Sequence, residues 1–232
     1  MEFFVLVLIA SLVLFLYKLY HLANDDYILI KKNIPLKEIF NSAVVILLIS
    51  LFSSRIFYIV FNPEPIFLSP LGFLLFPYFP GLSLTGGVMG AVLVTFIYSK
   101  IKKFPTSRIF DFFAMSLIFV LPFGFLSYMI LSSSLTIGAF IRLILYVFIF
   151  ICFNFYLYPK SIQLEIKEGT KSILFLIFFS LISLLGNAVD NPGIAPFLSN
   201  KENFLLLGIL FVSLMLLLKQ EIIGRISFKN GK

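Results

Sequence analysis

The sequence has 232 residues, of which 60% are hydrophobic and only 12% are charged, and its mean hydropathy is +1.08. A water-soluble domain would contain about half apolar and about a quarter charged residues, so this composition excludes one and predicts an integral membrane protein. In such a protein a net charge of +7 indicates loops that face an anionic cytoplasmic leaflet rather than a nucleic-acid partner. The single cysteine, Cys152, lies in an apolar run, so we expect no internal disulfide, no metal and no other cofactor.

Apolar stretches that are long enough to cross a bilayer follow one another along the chain. A spanning helix needs about 20 such residues, and seven segments meet or nearly meet this need, at about 3–22, 43–61, 82–99, 109–131, 137–158, 172–189 and 203–218. The first is expected to remain as a span, because Glu2 stands where a signal peptide would be basic. The stretch 66–79 is too short and contains Pro70 and Pro77, which predicts a re-entrant or interfacial segment. The sequence therefore predicts an all-α integral membrane protein with one polytopic domain over residues 1–232.

Basic residues are distributed unequally between the two sets of loops. One set holds fourteen of them, whereas the other set holds only Lys201. The fourteen are Lys31, Lys32, Lys37, Lys100, Lys102, Lys103, Arg108, Lys160, Lys167, Lys171, Lys219, Arg225, Lys229 and Lys232. Because basic loops stay in the cytoplasm, we expect the N-terminus outside and the C-terminus in the cytoplasm.

Arg55 lies inside the second predicted span, in the stretch SLFSSRIFYIVFNP. It precedes Asn62 by seven residues, which places it roughly 10 Å below the outer end of a helix. An arginine at this depth either extends its side chain to the outer headgroups or presents its planar guanidinium to a lipid phosphate. The spacing alone does not distinguish the two interpretations.

The segment GLSLTGGVMG, residues 81–90, opens the third span at the depth of Arg55. Gly86 and Gly90 form a small-xxx-small pair that is typical of close helix packing. Packing does not require Ser83, Thr85 or a doubled glycine, however. Free backbone N–H groups and the positive end of the helix dipole bind anions at a helix N-terminus, so we expect a phospholipid site here.

Three other polar positions have structural interpretations. Asp111 follows Arg108 by three residues and complements the dipole of its own helix. Arg142 lies near the outer surface, where extension of the side chain to the headgroups is favoured. Ser183, Asn187 and Asp190 share a face of the sixth span, which indicates either a polar outer pocket or a helix that emerges into water.

Taken in order, three stretches resemble the bacterial prolipoprotein diacylglyceryl transferase family. They are NIPLKEIFNSAV, SSRIFYIVFN and GLSLTGGVMGAVLVTFIYSKIKKFPTSRIFDFFA. The family pattern there is an arginine-aromatic stretch, Gly-Leu-Ser-x-His-Gly-Gly, a basic loop and Arg-x-x-Asp. The resemblance implies a seven-span protein of the bacterial inner membrane. It also implies transfer of diacylglyceryl from phosphatidylglycerol to the lipobox cysteine of a lipoprotein precursor, with release of glycerol phosphate.

The residues at the family's motif positions match only in part. The matching ones are Arg55, Ser83, Gly86, Gly87 and Asp111. Thr85 replaces the motif histidine, and the Gly-Arg-x-Gly-Asn motif falls on residues 124–128, so that Phe125 and Tyr128 replace its arginine and asparagine. The family's arginine, glutamate and arginine of span six fall on Ser183, Asn187 and Asp190, and its tyrosine of span one falls on Phe3 or Phe4.

From the resemblance we expect Arg55, Ser83, Thr85, Gly86 and Gly87 to bind phospholipid. The replacements predict transfer that is weak or lost. Arg142 would be a compensating cation if its side chain turned inward. The alternatives are a non-catalytic protein that binds phospholipid or lipoprotein precursors, or a small seven-span transporter. The transporter is disfavoured, because carboxylates are missing at mid-membrane depth in the sequence.

The predicted orientation can be tested with reporter fusions placed after Lys102 and after Lys167. Both fusions should report the cytoplasm, because both positions lie in the basic set of loops. A reporter that is active outside the cell at either position would contradict the topology.

Overall fold

A computed structural model describes residues 2–24, 26–69, 72–73, 81–132, 136–162 and 166–223. These residues form helices and connecting segments, without a β-strand among them. The chain divides into two compact units, Met1–Ile109 and Phe110–Lys232. The boundary falls in the first turns of a continuous helix.

Unit 1 contains helices α1 (Glu2–Ala23), α2 (Tyr27–Lys31), α3 (Leu36–Phe61) and α4 (Leu84–Ile101). A 3₁₀ turn, Pro65–Leu68, follows α3. The carboxylate of Asp26 caps α2 by accepting hydrogen bonds from the amides of Ile28 and Leu29. Asp26 also forms an ion pair with Arg108, whose Nε lies 2.8 Å from Oδ2. Since Asp26 is buried, this pair ties the α2 turn to the segment that follows α4.

Helices α3 and α4 pack closely because their interface is lined by small residues. A Cβ added to Gly86 would lie 2.4 Å from the Cβ of Phe57, and one added to Gly90 would lie 2.4 Å from the Cβ of Ser53. Both distances are far below van der Waals contact. The predicted packing role of Gly86 and Gly90 therefore agrees with the interface.

Unit 2 begins within α5 (Thr106–Ser132). It continues with α6 (Ile137–Cys152), a π-helical turn (Phe153–Leu157), α7 (Tyr158–Ile162), α8 (Thr170–Asp190), α9 (Ile194–Ser199), α10 (Lys201–Leu217) and a second π-helical turn (Leu218–Ile223). Asp111 is fully buried and accepts hydrogen bonds from the amides of Gly169 and Ser172 at 2.8 and 2.9 Å. It therefore caps the start of α8, a role beyond the one expected from its own helix.

Six helices in the described part of the chain are long and apolar enough to cross a membrane. They cover 36–61, 84–101, 106–127, 137–161, 170–190 and 201–220, which correspond to the second to seventh predicted spans. The first predicted span coincides with α1, but its shorter apolar part, Ile9–Ala23, falls outside this class. An all-helical, multi-pass membrane protein is confirmed for the described residues, whereas the first predicted span, the total of seven spans and the orientation stay predictions. Most of the expected re-entrant segment 66–79 lies outside the described residues.

Gly90→Ala should destabilise unit 1, because the new methyl group would overlap Ser53 and force α3 and α4 apart. Overpacking of this kind costs about 1–3 kcal/mol. Gly208→Ala in α10 is the matched control, since a Cβ there meets nothing within 4 Å, and alanine gains up to about 1 kcal/mol of helix propensity. Thermal unfolding in detergent measures both variants. A Gly90→Ala protein as stable as the Gly208→Ala protein would contradict the close packing.

Candidate functional site

Hydroxyl groups where α3 meets the start of α4 bond the two helices to each other. The Ser83 hydroxyl caps α4 by accepting a hydrogen bond from the Gly86 amide at 3.1 Å. The Ser83 amide donates to the Ser54 carbonyl at 3.1 Å, and the Ser54 hydroxyl donates to the Ser83 carbonyl at 2.8 Å. The Ser53 hydroxyl donates to the Gly86 carbonyl at 2.8 Å. These hydroxyls therefore serve helix packing and capping.

Thr85, Gly86 and Gly87 differ in how much space surrounds them. Thr85 is buried, with 1% of its surface exposed, so its side chain is enclosed by protein. Gly86 has no room for a Cβ, as described above. A Cβ on Gly87 would make an ordinary contact of 3.5 Å with Ser54. Packing thus demands glycine at position 86 and not at position 87.

Arg55 is buried, with 2% of its surface exposed, and all three of its guanidinium nitrogens donate to backbone carbonyls. Nε donates to Phe73 at 3.2 Å, Nη1 to Gly81 at 2.7 Å and Nη2 to Gly72 at 2.6 Å. The guanidinium therefore lies against Gly81, two residues before the Ser83 cap. The structure thus shows the Arg55 guanidinium bonded to backbone carbonyls, and a lipid phosphate on Arg55 stays a prediction.

Unit 2 contains a charged network that joins the first turns of α6 to the last turn of α8 and to α10. Arg142 Nη1 lies 3.0 Å from Asp190 Oδ2, and Nη2 donates to Asn187 Oδ1 at 2.7 Å. The Asn187 side-chain amide donates in turn to Asn203 Oδ1 at 2.7 Å. The predicted extension of Arg142 to the headgroups is therefore replaced by an ion pair, because Asp190 lies within reach.

Two glycines provide the space for this network. A Cβ on Gly186 would lie 2.1 Å from Arg142 Nε, and a Cβ on Gly138 would lie 2.4 Å from the Asp190 carboxylate. The Gly138 amide also donates to Asp190 Oδ1 at 3.0 Å. Sequence reasoning missed Gly138, Gly186 and Asn203, although a glycine one residue before Asn187 was an available signal. The face shared by Asn187 and Asp190 thus belongs to a helix–helix contact.

Phe125 and Tyr128 occupy the motif positions of α5 in unit 2. The Phe125 ring stacks on Tyr146 of α6, with the ring centroids 5.2 Å apart and the planes 19° apart. Tyr146 is 1% exposed. Phe125 therefore takes part in an aromatic stack with a buried partner. The side chains of Tyr128, Phe3 and Phe4 lie outside the described part of the structure.

The site residues predicted from the sequence are divided between the two units. Arg55, Ser83, Thr85, Gly86 and Gly87 lie together in unit 1, and Phe125 and Arg142 lie in unit 2. Within the described residues, histidine, cysteine, aspartate and glutamate do not form a group of three that could hold a metal ion. The chemical groups available at the start of α4 are thus a capped helix N-terminus, hydroxyls and a buried guanidinium.

Comparison with known families agrees with the motifs of unit 1. A family model described as prolipoprotein diacylglyceryl transferase matches residues 1–130, which is more than half of the chain. The match includes α1 to α4 and nearly all of α5. A search of curated proteins gives no match.

The Arg142–Asp190 pair predicts non-additive effects on stability. Arg142→Gln and Asp190→Asn should each destabilise the protein, because each leaves a partly buried charge unpaired. The double variant should recover part of the loss, with a coupling energy of about 0.5–3 kcal/mol. Urea or thermal unfolding of the four proteins gives this energy. Strictly additive single effects would show that the pair contributes nothing.

Proposed function

Because the chain belongs to the prolipoprotein diacylglyceryl transferase family, we propose that it binds the headgroup of a phospholipid, phosphatidylglycerol or a close relative, at the start of α4. We propose further that its transfer of diacylglyceryl to the thiol of a lipoprotein precursor is weak or lost. The family reaction breaks the bond between the glycerol carbon of the lipid and its phosphate. The thiolate sulfur forms the new bond to that carbon, and glycerol phosphate leaves.

The proposed orientation follows from the basic loops. With Lys100, Lys102 and Lys103 in the cytoplasm, the opposite end of α4, at Ser83, faces the outer leaflet of a bacterial inner membrane. Lipoprotein precursors present their signal peptides in this membrane. The proposed lipid site is therefore on the side where an exported cysteine would arrive.

Electrostatics support an anionic headgroup at this end of α4. The N-terminus of a helix carries roughly half a positive charge, which favours phosphate. Arg55 adds a full charge, and the ion pairs formed by the described residues leave that charge without a carboxylate partner. In a low-dielectric membrane such a positive region attracts an anion strongly.

The replacement of the motif histidine supports weak transfer. Thr85 is an enclosed hydroxyl that cannot accept a thiol proton near neutral pH, and loss of general-base help commonly costs about 10²–10⁴-fold in rate. An unassisted cysteine with an ordinary pKa of about 8.5 is only a few per cent ionised at pH 7. The incoming thiol would therefore react slowly.

The aromatic stack at Phe125 is the observation that carries the proposal. The family motif has an arginine at this position, whereas Phe125 has an uncharged ring that packs on Tyr146. Loss of one electrostatic stabiliser of a transition state typically costs about 10²–10³-fold. Together with Thr85, this replacement removes both a base and a cation.

A non-catalytic protein that binds phospholipid or lipoprotein precursors is the second candidate. The Arg142–Asp190 pair favours it, because a compensating cation would need a free positive charge, and Asp190 neutralises Arg142 at 3.0 Å. Under this alternative the signal peptide or the lipid would bind without chemical change.

Restoring both motif residues tests the proposal. Thr85→His together with Phe125→Arg should raise transfer from labelled phosphatidylglycerol to a lipobox peptide by at least about tenfold, because a base and a cation are returned. Thr85→Asn with Phe123→Arg is the matched control, since it adds polar groups of similar size without a base, and Phe123 is exposed. Turnover by the wild-type protein within tenfold of an intact family member would overturn the proposal.

A further inference from the structure

We propose that Arg55 is a positioning residue that clamps the backbone before α4, and that it does not bind the phosphate directly. This inference deepens the proposed function and rests on it for the identity of the ligand. The clamp consists of the Arg55 guanidinium and the carbonyls of Gly72, Phe73 and Gly81. It sets the place and direction of the α4 N-terminus, where the headgroup would bind.

Each nitrogen of the Arg55 guanidinium donates a hydrogen bond to a backbone carbonyl, and these bonds use three of its five N–H groups. Nε, Nη1 and Nη2 each donate to a different carbonyl, at 2.6 to 3.2 Å. Since the three bonds join α3 to Phe73 and to Gly81, 18 and 26 residues further on, one side chain holds two distant pieces of backbone. Because only 2% of the surface of Arg55 is exposed, a phosphate could reach the other two N–H groups only by displacing the protein groups that cover them.

Aromatic rings cover the guanidinium. The Cζ atom of Arg55 lies 4.8 Å from the ring centroid of Phe67 and 5.9 Å from that of Tyr58. The two rings contact each other edge to face, with centroids 5.7 Å apart. Cation–π attraction stabilises a desolvated guanidinium, so these rings replace the water that the charge has lost and close the face above it.

The backbone at two of the accepting positions requires glycine. A Cβ on Gly81 would lie 2.1 Å from the Tyr58 ring, and Gly81 has a φ of +151°, which disfavours other residues. A Cβ on Gly72 would lie 2.0 Å from the Ile66 carbonyl oxygen. The two residues whose carbonyls accept from the Arg55 Nη atoms therefore have to be glycine, which indicates that this backbone is shaped to reach the guanidinium.

The clamp acts on the lipid site through a short chain of contacts. Arg55 holds the Gly81 carbonyl, and the neighbouring Ser54 exchanges two hydrogen bonds with Ser83. Ser83 then caps the Gly86 amide. Consecutive residues of α3 therefore fix residues 81 to 83, and with them the first amides of α4.

Arg55→Lys separates a clamp from a phosphate ligand. Lysine keeps the charge but has a single ammonium, which cannot reach three carbonyls spread along a guanidinium plane. A phosphate ligand should tolerate lysine better than glutamine. A clamp should be lost equally with lysine and with glutamine.

The experiment measures amide hydrogen exchange in detergent-solubilised full-length protein and, in the same samples, binding of short-chain phosphatidylglycerol. Arg55→Lys and Arg55→Gln should both raise exchange at the amides of residues 83–87 by about tenfold or more, since local opening becomes easier. Both should weaken lipid binding by similar factors. Lys102→Gln, which removes an exposed cation of the same unit, is the matched control and should leave exchange unchanged. Protected amides in α8 show that each variant is folded.

Phe67→Leu provides a milder variant, because it removes one ring and keeps all three carbonyl bonds. It should raise exchange at the same amides by a smaller factor. Wild-type exchange in Arg55→Lys and Phe67→Leu, with binding lost only in Arg55→Gln, would overturn the clamp in favour of a phosphate ligand. Faster exchange in the Arg55 variants of a protein that binds no phosphatidylglycerol would support the clamp and refute the lipid site.

Discussion

Hydrocarbon offers no hydrogen-bond partners, and this constraint determines how the polar side chains of the protein are used. A buried polar group in a membrane protein must be satisfied by other protein groups. Arg55 accordingly donates to three carbonyls, Arg142 pairs with Asp190, and Asp111 caps another helix. These three charged residues, which the sequence presents as candidates for a functional site, thus link the helices within each unit.

The spans were predictable because hydropathy over about 20 residues reflects the thickness of the bilayer. Six predicted spans correspond to helices that meet the criteria of length and composition. Their bounds differ where a helix continues past its apolar stretch, as α3 does by starting at Leu36 instead of residue 43. The packing role of Gly86 and Gly90 was also readable, because small-xxx-small spacing has a local cause. Orientation depends on the membrane and the loops and stays a prediction.

The hydrogen-bond partners of Arg142 and Arg55 could not be predicted from the sequence, for different reasons. The partner of Arg142 lies 48 residues away, and whether an arginine turns inward depends on the rotation of its helix, which the sequence does not fix. The partners of Arg55 are backbone carbonyls. Because every residue has a carbonyl, a pattern of side chains in the sequence cannot predict which ones bind Arg55. The sequence feature that accompanies such a clamp is the pair of glycines, Gly72 and Gly81, at two of the accepting positions.

The family match covers residues 1–130, and within that range Thr85 and Phe125 stand where the family motifs have histidine and arginine. We propose that the protein holds a phospholipid and cleaves it slowly or not at all. Native mass spectrometry of the wild-type protein, incubated in one sample with labelled phosphatidylglycerol and a lipobox peptide, would detect both binding and cleavage. The expected result is one intact phosphatidylglycerol bound per chain and a peptide that is unmodified or modified far more slowly than by an intact family member. A protein without bound lipid, or a peptide whose cysteine carries the labelled diacylglyceryl group at the rate of an intact family member, would contradict it.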